Sequence, residues 1–421
     1  MNARRRELLG LVLAGLIASV ALATVTLARD AEISPDVVTR SALFLGLYIV
    51  AHVVIRRTAP HADGALLPLT AVLTAFGVTT IYRLDPDDGG RQAVWIAVGV
   101  AALVGTLVWL RHDYRVLESY RYLFGVGAVA LLLLPSLPGV GETVNGARLW
   151  VDFGVIQFQP GELAKICLIL FLAGYLREKR ESLARGQLKD IGPLLAIWGA
   201  AMLVIVVTND LGSALLNFGI FLAMLYVATG RALFVAVGLA LFVGGAAALY
   251  NAISHVELRV TSWLDPWDPD RIYDESYQLV QSLYSIANGG FGGTGLGQGT
   301  FASTDGTELI PHLRTDFIYS AIAQELGLLG AAALLLVFML FVVRGMRVAL
   351  QADDGFSKLL AAGLTFGFAL QTFIIVGGVL RVVPLTGITL PFVSYGGTSI
   401  VANFVLLGLL LHVSNRANQP R

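Results

Sequence analysis

The stretch WLDPWDPDRIYDESYQ, residues 263–278, concentrates carboxylates in a chain that is otherwise strongly apolar. Five acids lie there around one cation, Arg271, and they are Asp265, Asp268, Asp270, Asp274 and Glu275. A carboxylate in such a cluster can accept a proton as a general base or bind a divalent cation. The other acids of the cluster have a simpler use, because pairing with arginine or keeping a loop solvated needs no chemistry.

Cations with a possible chemical role occur in four other segments that border apolar runs. They are Arg148, Lys165, Arg259, Arg314 and Arg381. An anionic headgroup such as a diphosphate binds to cations, and best to the two-pronged donors of arginine. Cations that share one cavity with a separate carboxylate would suit a lipid-linked polar substrate that enters sideways from a bilayer.

Each of these polar groups also has a purely structural interpretation. Glu162 and Lys165 are three residues apart, so they share one helix face and can form a helix-end ion pair. Asp210, in TNDLGSALLNF, follows one apolar run and precedes the next, where an aspartate caps a helix. Arg148 and Asp152 lie in a stretch that is too polar to span a membrane and apolar enough to lie in its interface.

The composition predicts an all-α, polytopic membrane protein. Apolar residues make up 56% of the 421 residues, charged residues 14%, and the mean hydropathy is +0.74. The formal net charge is zero, so we expect no nucleic-acid partner. The single cysteine, Cys167, provides neither a disulfide framework nor a metal-ligand cluster.

Hydropathy along the chain predicts about twelve membrane-spanning helices. The first apolar run follows three arginines and could be a signal peptide, but its length favours an uncleaved anchor. The predicted spans are 9–28, 41–55, 66–82, 92–110, 122–138, 162–177, 192–208, 211–228, 232–250, 317–343, 358–382 and 397–413.

The distribution of lysine and arginine predicts the orientation of these spans. Most of the 29 cations fall in alternate connections, together with the N-terminus and the C-terminus, so both termini should be cytoplasmic. Residues 251–316 then form one large extracytoplasmic loop, which contains the acidic stretch. We expect the chain in the bacterial inner (cytoplasmic) membrane, with its active site facing outside.

Two further segments favour particular backbone structures. The spacing of Tyr277, Val280 and Tyr284 predicts an amphipathic helix, and the seven glycines between 289 and 299 predict sharp turns or close backbone approach. Residues 382–396 combine two prolines with a string of small polar residues. That combination is typical of a re-entrant segment lining a cavity, although a plain loop fits as well.

Five motifs, in order along the chain, resemble the RodA/FtsW/SpoVE family, the membrane glycan polymerases of bacterial cell-wall synthesis. They are GARLWVDFGVIQFQPGELAK, NDLGSALL, RVTSWLDPWDPD…SYQLVQSLYSIANGGFGGTGLGQG, LRTDFIYSAIAQELGLLG and PLTGITLPFVSYGGTSIVAN. They cover roughly residues 65–415. The family core has ten spans, so the resemblance implies two additional N-terminal spans in residues 1–62 and a polymerase core in residues 63–421.

The resemblance implies that a glycan strand on undecaprenyl diphosphate is transferred, with inversion, to the 4-hydroxyl of lipid II. The essential carboxylate of the family corresponds best to Asp268, with Asp270 as the runner-up because the chain departs from the family spacing here. The resemblance also implies a divalent cation, Mg²⁺, at Asp268 and Asp270. The expected diphosphate ligands are Arg148, Lys165, Arg259, Arg314 and Arg381, supported by Glu162, Asp210, Gln278, Asp316 and Ser394.

Membrane lipid and a single-pass class B penicillin-binding protein are the partners that the resemblance adds. Two other functions stay open for such a chain, a lipid II flippase and a scaffold without catalysis. A flippase needs polar groups along a path through both leaflets, whereas the charges of this sequence cluster on the outer side. A scaffold would leave the buried cations without a role.

Overall fold

The computed structural model describes residues 3–31, 35–144, 147–152, 154, 157–185, 192–303 and 307–419. Fifteen α-helices, one short 3-10 helix at Leu134–Ser136 and three short strands are found within these ranges. The helices are α1 Ala3–Asp30, α2 Pro35–Thr58, α3 Leu66–Leu84, α4 Pro86–Trp109, α5 Val116–Ser119, α6 Arg121–Leu133, α7 Pro160–Ala184, α8 Gly192–Val207, α9 Leu211–Thr229, α10 Ala232–Ala252, α11 Ser254–Leu264, α12 Tyr277–Gly289, α13 Ile318–Gln351, α14 Gly355–Val379 and α15 Gly397–Ala417.

The helical membrane bundle expected from the composition is confirmed. In the described ranges, nine helices are long and apolar enough to cross a membrane, namely α1, α2, α3, α4, α9, α10, α13, α14 and α15. The regions of α6 and α8 form shorter apolar helices, and α7 carries charged residues at both ends. All twelve predicted spans therefore overlap a helix, while the exact number of spans stays a prediction.

Aspartates begin several of these helices, and for Asp210 the sequence predicts this. Asp85 accepts hydrogen bonds from the backbone N–H groups of Asp87 and Asp88 at the start of α4. Asp210 accepts from Ser213 at the start of α9, and Asp354 accepts from Ser357 at the start of α14. These carboxylates satisfy N–H groups that have no partner within the helix.

The centre of the bundle is formed by α14 and α15, which are the most enclosed of the spanning helices. A row of phenylalanines joins them to α13, with ring centroids 4.3 Å apart between Phe341 and Phe368 and 5.3 Å apart between Phe392 and Phe404. Phe392 belongs to the connection between α14 and α15, so this connection packs inside the bundle. By contrast, only 6% of the α10 apolar window is buried.

A small antiparallel sheet precedes α7 and was not predicted. It consists of β1 Gly141–Val144, β2 Ala147–Asp152 and β3 Gln157–Phe158, in the order β1-β2-β3. The stretch that was predicted to lie in the interface is therefore largely a hairpin. In β2 the side chain of Val151 is fully buried and Asp152 is exposed, the alternation that a strand produces.

The predicted amphipathic helix is confirmed as α12. Its buried side consists of Leu279, Val280, Ser282 and Ser285, whereas Tyr284 of the predicted spacing is exposed. The glycine-rich segment after α12 fills a break in α13 at Gly327, whose φ is +66°. Thr294 and Gly295 donate to the carbonyls of residues 324 and 325, and the N–H groups of residues 328 and 329 donate back. The glycines thus permit close backbone approach.

We expect Gly327→Ala to destabilise the fold by at least about 2 kcal/mol. A Cβ at this position would lie 2.2 Å from the Gly293 nitrogen, and the positive φ disfavours any side chain. Gly105→Ala in α4 is the control, because a Cβ there meets nothing within 4 Å. Thermal unfolding of the purified proteins in detergent measures both. Equal midpoints for the two variants would contradict the expected strain.

Candidate active site

A cavity of about 1330 Å³ opens at the end of the bundle where α4, α7, α9 and α15 begin. Its wall includes residues of β2 and α11 and of the segments before α13 and α15. The acidic and basic side chains in this wall are Arg91, Asp152, Glu162, Lys165, Asp210, Arg259, His312 and Asp316. Cations and carboxylates therefore share one cavity, as the sequence predicts for a substrate with an anionic headgroup.

The floor of the cavity is built around Lys165. This residue follows Pro160 by five positions, so it lies about 8 Å into the bundle along α7. Its Nζ donates to Glu162 Oε2 at 2.8 Å and to Gln371 Oε1 at 2.7 Å, and only 6% of its side chain is exposed. Gln371 in turn donates to the Thr389 carbonyl at 2.8 Å. The helix-end ion pair between Glu162 and Lys165 is thus present, and it also lines the cavity.

Arg259 and Asp316 lie on the wall of the same cavity. A Cβ built at Gly387 would lie 3.5 Å from Asp316 Oδ2 and 3.8 Å from Arg259 Nη2, so the two groups border one backbone position. Arg259 Nη1 donates to the Leu385 carbonyl at 3.1 Å. Burial lowers the pKa of Arg259, although Asp316 and Asp210 act in the opposite direction. The guanidinium keeps further donors that a ligand in the cavity can use.

Two aspartates of the cavity wall, Asp210 and Asp316, have raised pKa values. Burial raises the pKa of Asp210, and the Ser213 hydrogen bonds oppose this effect only in part. Burial also raises the pKa of Asp316 above its ordinary value of 3.8, against the opposing effects of His312, Thr315 and Arg259. Water-poor surroundings favour the neutral acid, which explains the direction of both shifts.

We expect Asp316→Asn to change how stability depends on pH. Because the folded-state pKa of Asp316 is raised, its contribution to stability is complete below about pH 3.8 and is lost as the pH rises through the folded-state value. The neutral amide removes this loss, so the Tm of the variant should gain on wild type as the pH rises from about 4 to about 8.

Asp87→Asn, at the exposed start of α4, controls for the loss of one negative charge. Thermal unfolding across this pH range measures all three proteins. A Tm of Asp316→Asn that falls relative to wild type as the pH rises would contradict the raised pKa of Asp316.

Three of the five predicted diphosphate ligands do not line the cavity. Arg148 donates to the carbonyls of Leu137 and Gly141 and stabilises the hairpin. Arg314 forms ion pairs with Asp85, Asp88 and Glu308, at nitrogen–oxygen distances of 2.7, 2.6 and 3.3 Å. Arg381 donates to the last turn of α11. The contacts of Arg314 with Asp85 and Asp88 and those of Arg381 with α11 join segments more than 100 residues apart, so the sequence pattern did not indicate them.

The remaining supporting residues divide in the same way. Glu162, Asp210 and Asp316 line the cavity. Ser394 lies behind its wall, where its hydroxyl donates to the Thr315 carbonyl and accepts from the Leu390 N–H. Gln278 lies in the first turn of α12, outside the cavity lining.

Asp268 lies in the connection between α11 and α12, outside the residues that line the cavity. Its Oδ1 accepts from the Asp270 N–H at 3.0 Å, and its Oδ2 lies 3.3 Å from Arg271 Nη1. About a quarter of its side chain is exposed, and Asp270 is exposed. The carboxylate is therefore accessible to solvent. It lies four residues after the end of α11, the helix that carries Arg259.

The residues that the structure describes do not form a site for a resident metal ion. Within the described ranges, no group of three or more His, Cys, Asp or Glu side chains is arranged to hold one. Both oxygens of Asp268 already have partners, the Asp270 N–H and Arg271. Magnesium with only one or two carboxylates depends on phosphate oxygens and water for its other ligands.

Several residues of the cavity were missed in the sequence. Arg91 and Trp95 belong to the first turns of α4, and His312 and Tyr395 to the segments before α13 and α15. A signal existed for Gln371, because a polar amide inside an apolar helix is costly unless it has partners. The others lack such a signal, since polar and aromatic residues are common at helix ends.

The connection between α14 and α15 completes the wall and enters the bundle. A Cβ at Gly77 of α3 would lie 2.5 Å from the Val393 carbonyl, and Gly77 precedes the end of α3 by about 10 Å. Gln92 donates to the Ser394 carbonyl at 3.1 Å from α4. These contacts favour the re-entrant interpretation over a plain loop, and the buried backbone groups find partners inside the protein.

The family model described as "Cell cycle protein" (FTSW_RODA_SPOVE) matches residues 64–419 of the chain. The peptidoglycan glycosyltransferase RodA of Mycobacterium tuberculosis is 40% identical over 99% of this chain and 92% of that protein. Stage V sporulation protein E of Bacillus subtilis is 34% identical over 85% and 98% of the two chains. The match to the mycobacterial protein includes α1 and α2, which precede the region of the family model.

Two solved structures resemble the fold. One, from work on "structural coordination of polymerization and crosslinking by a peptidoglycan synthase complex", has a TM-score of 0.71 and 28% identity, covering 85% of this chain and 99% of the other. The rod shape determining protein RodA of Thermus thermophilus has a TM-score of 0.60 and 24% identity, covering 85% and 98%. The family model and the relatives together show that this chain belongs to the FtsW/RodA/SpoVE family.

Proposed function

We propose that this protein is a peptidoglycan glycosyltransferase that polymerises lipid II, by moving a glycan strand from a lipid diphosphate to the 4-hydroxyl of the next lipid II. The observation that carries the proposal is the cavity, in which Lys165 and Arg259 accompany the carboxylates at one end of a membrane bundle. Relatives named as peptidoglycan glycosyltransferases, at 33–40% identity, support the same activity.

Lys165 and Arg259 are the proposed ligands of the donor diphosphate, and Arg91 is added from the cavity wall. A diphosphate that approaches Lys165 competes with Glu162 for the ammonium group, which lies 2.8 Å away. Arg259 donates to only one carbonyl among the described residues, so most of its guanidinium donors stay available. Negative charge that develops on the leaving diphosphate is stabilised by these fixed cations.

Asp268 is the proposed general base. The 4-hydroxyl of the acceptor attacks the anomeric carbon of the donor, the bond from that carbon to the diphosphate oxygen breaks, and Asp268 takes the hydroxyl proton. One displacement inverts the configuration at the anomeric carbon. Since Asp268 lies outside the cavity lining, the acceptor is proposed to lie between its carboxylate and the cavity, which the donor diphosphate occupies.

A divalent cation is proposed to enter with the diphosphate. The described residues offer no closed site for it, whereas the phosphate oxygens of the substrate are strong magnesium ligands. Asp268 and Asp270 are the carboxylates of this segment that could complete its coordination. The proposed reaction assigns the proton to Asp268 and requires no step at the ion.

The orientation and partner are further parts of the proposal. The lysine and arginine distribution favours cytoplasmic termini in the bacterial inner membrane, so the cavity opens to the outside. A class B penicillin-binding protein is the proposed partner, which fits a solved relative described as part of a peptidoglycan synthase complex.

Polymerisation of purified lipid II in detergent tests the function. The wild-type protein with its cognate partner should yield glycan strands, and a protein that only flips lipid II or serves as a scaffold should yield none. Gel separation of labelled product distinguishes these outcomes. A wild-type preparation that is folded and bound to its partner but makes no strands would contradict the proposal.

A further inference from the structure

Arg381 follows the last residues of α14 and has a backbone conformation that favours glycine. The Val382 N–H donates to the Gly377 carbonyl at 2.6 Å and the Arg381 N–H donates to the Gly378 carbonyl at 3.1 Å, the paired bonds of a Schellman motif. Arg381 has φ +59°, which costs a residue other than glycine about 1–2 kcal/mol. The chain therefore carries a long side chain at a position where the backbone favours none.

The side chain connects α14 to the last turn of α11. Arg381 Nε donates to the Trp263 carbonyl at 2.8 Å, and Nη2 donates to the Leu264 carbonyl at 2.5 Å. Trp263 Nε1 donates back to the Arg381 carbonyl at 3.1 Å. Carbonyls at the end of a helix have no partner within the helix and attract cations, so this contact is favourable in both respects.

The same guanidinium lies over the Trp267 ring, 5.2 Å from its centroid. Trp267 directly precedes Asp268 in the chain. Arg381 therefore contacts the chain at Trp263 and Leu264 and again at Trp267, on both sides of a two-residue connection. At the other end of α11, Arg259 donates to the Leu385 carbonyl. Segment 381–385 thus holds α11 at two points.

We propose that Arg381 is a positioning residue, which fixes the end of α11 and Trp267 so that Asp268 keeps a constant position relative to Arg259 and the cavity. The inference rests on the proposed role of Asp268 as base. It differs from a role in phosphate binding, because Nε and Nη2 are already engaged with backbone carbonyls. Arg381 also lies outside the residues that line the cavity.

Two variants of the full-length protein, assayed with its partner on lipid II, test this role. Arg381→Gly relieves the backbone and removes the side chain, so the Tm should stay within a few degrees of wild type. The kcat should fall roughly 10–100-fold because a small displacement of a reacting group has that effect. The apparent KM should change by less than about 3-fold, since ligand contacts remain.

Arg381→Lys keeps the charge but replaces the planar fork by a single ammonium, so it cannot donate to both carbonyls and lie over Trp267. We expect its kcat to fall nearly as far as that of Arg381→Gly. Hydrogen exchange at residues 263–270 should rise in both variants. Ala31→Gly is the matched control, because Ala31 also has a positive φ, of 57°, and does not line the cavity.

A lysine variant with wild-type kcat, paired with a glycine variant of raised KM, would show phosphate binding and overturn the inference. Wild-type kcat in both variants would overturn it as well. Asp268→Ala in the same assay separates this failure from a failure of the proposed function. If Asp268→Ala is inactive while the Arg381 variants are fully active, only the positioning role is lost. If wild type makes no glycan, the proposed function itself fails.

Discussion

Asp268→Ala and Asp268→Asn should each abolish glycan polymerisation while leaving expression and Tm nearly unchanged. Loss of a general base typically lowers rate by about 10²–10⁴-fold, and neither alanine nor an amide accepts the proton. Folding is little affected because the ion pair with Arg271 is partly exposed, and such pairs contribute about 0–1 kcal/mol. Product formation from lipid II with the partner present measures the effect.

The neighbouring acid supplies the control for this prediction. Asp270 supports Asp268 through its backbone N–H, which an alanine retains. Asp270→Ala should therefore keep most of its activity, and Asp270→Pro, which lacks the N–H, should lose activity. Robust product from either Asp268 variant would remove Asp268 from its proposed role. An inactive Asp270→Ala beside an active Asp268→Ala would assign the base to Asp270.

Lys165→Ala should have the second largest effect, on both donor binding and stability. Removing one partner of a buried ion pair costs about 3–5 kcal/mol, and here Glu162 and Gln371 Oε1 both lose their donor. Glu162 and Lys165 line the cavity, so water can reach the unpaired carboxylate and the cost should be smaller than for a fully enclosed pair. We expect a lowered Tm and an apparent KM for lipid-linked donor at least about 10-fold higher.

A double variant separates these two effects. Glu162→Gln together with Lys165→Met replaces the pair by neutral side chains of similar size, so the buried charge without a partner is removed. Its Tm should recover most of the loss seen in Lys165→Ala, while the KM stays high because residue 165 no longer supplies a cation to the diphosphate. Recovery of both Tm and KM would show that Lys165 serves the fold alone.

Much of the site was predictable because its residues are polar or charged within strongly apolar parts of the sequence. Carboxylates, cations and an amide inside apolar helices indicate that a polar partner is near, and Glu162, Lys165 and Asp210 were found in this way. The motifs resembling the family added Asp268. Arg314 shows the limit of such reasoning, because its partner Asp85 is 229 residues away in the sequence and is equally unremarkable at a helix start.

The hairpin before α7 shows a second limit. Its short strands carry Arg148 and Trp150 among apolar residues, a pattern that an interfacial segment shares. Pairing with β1 and β3 satisfies the backbone groups of β2, and only the folded chain reveals that these strands are adjacent. The glycines between 289 and 299 are similar, since the break in α13 that they fill is not encoded near them.

By itself the sequence determined the helical membrane class, the approximate positions of the twelve apolar helices and of α12, and the residue types available for chemistry. These properties are local, because transfer of a helix into a bilayer depends on the hydropathy of that helix alone. The tertiary structure decided which charges meet. Lys165 and Arg259 line the cavity. Arg148 and Arg381 instead donate to backbone carbonyls, and Arg314 forms ion pairs with carboxylates. Helix packing and long-range hydrogen bonds made that selection, since a charge in a low-dielectric bundle is stable only beside the partner that the fold brings to it.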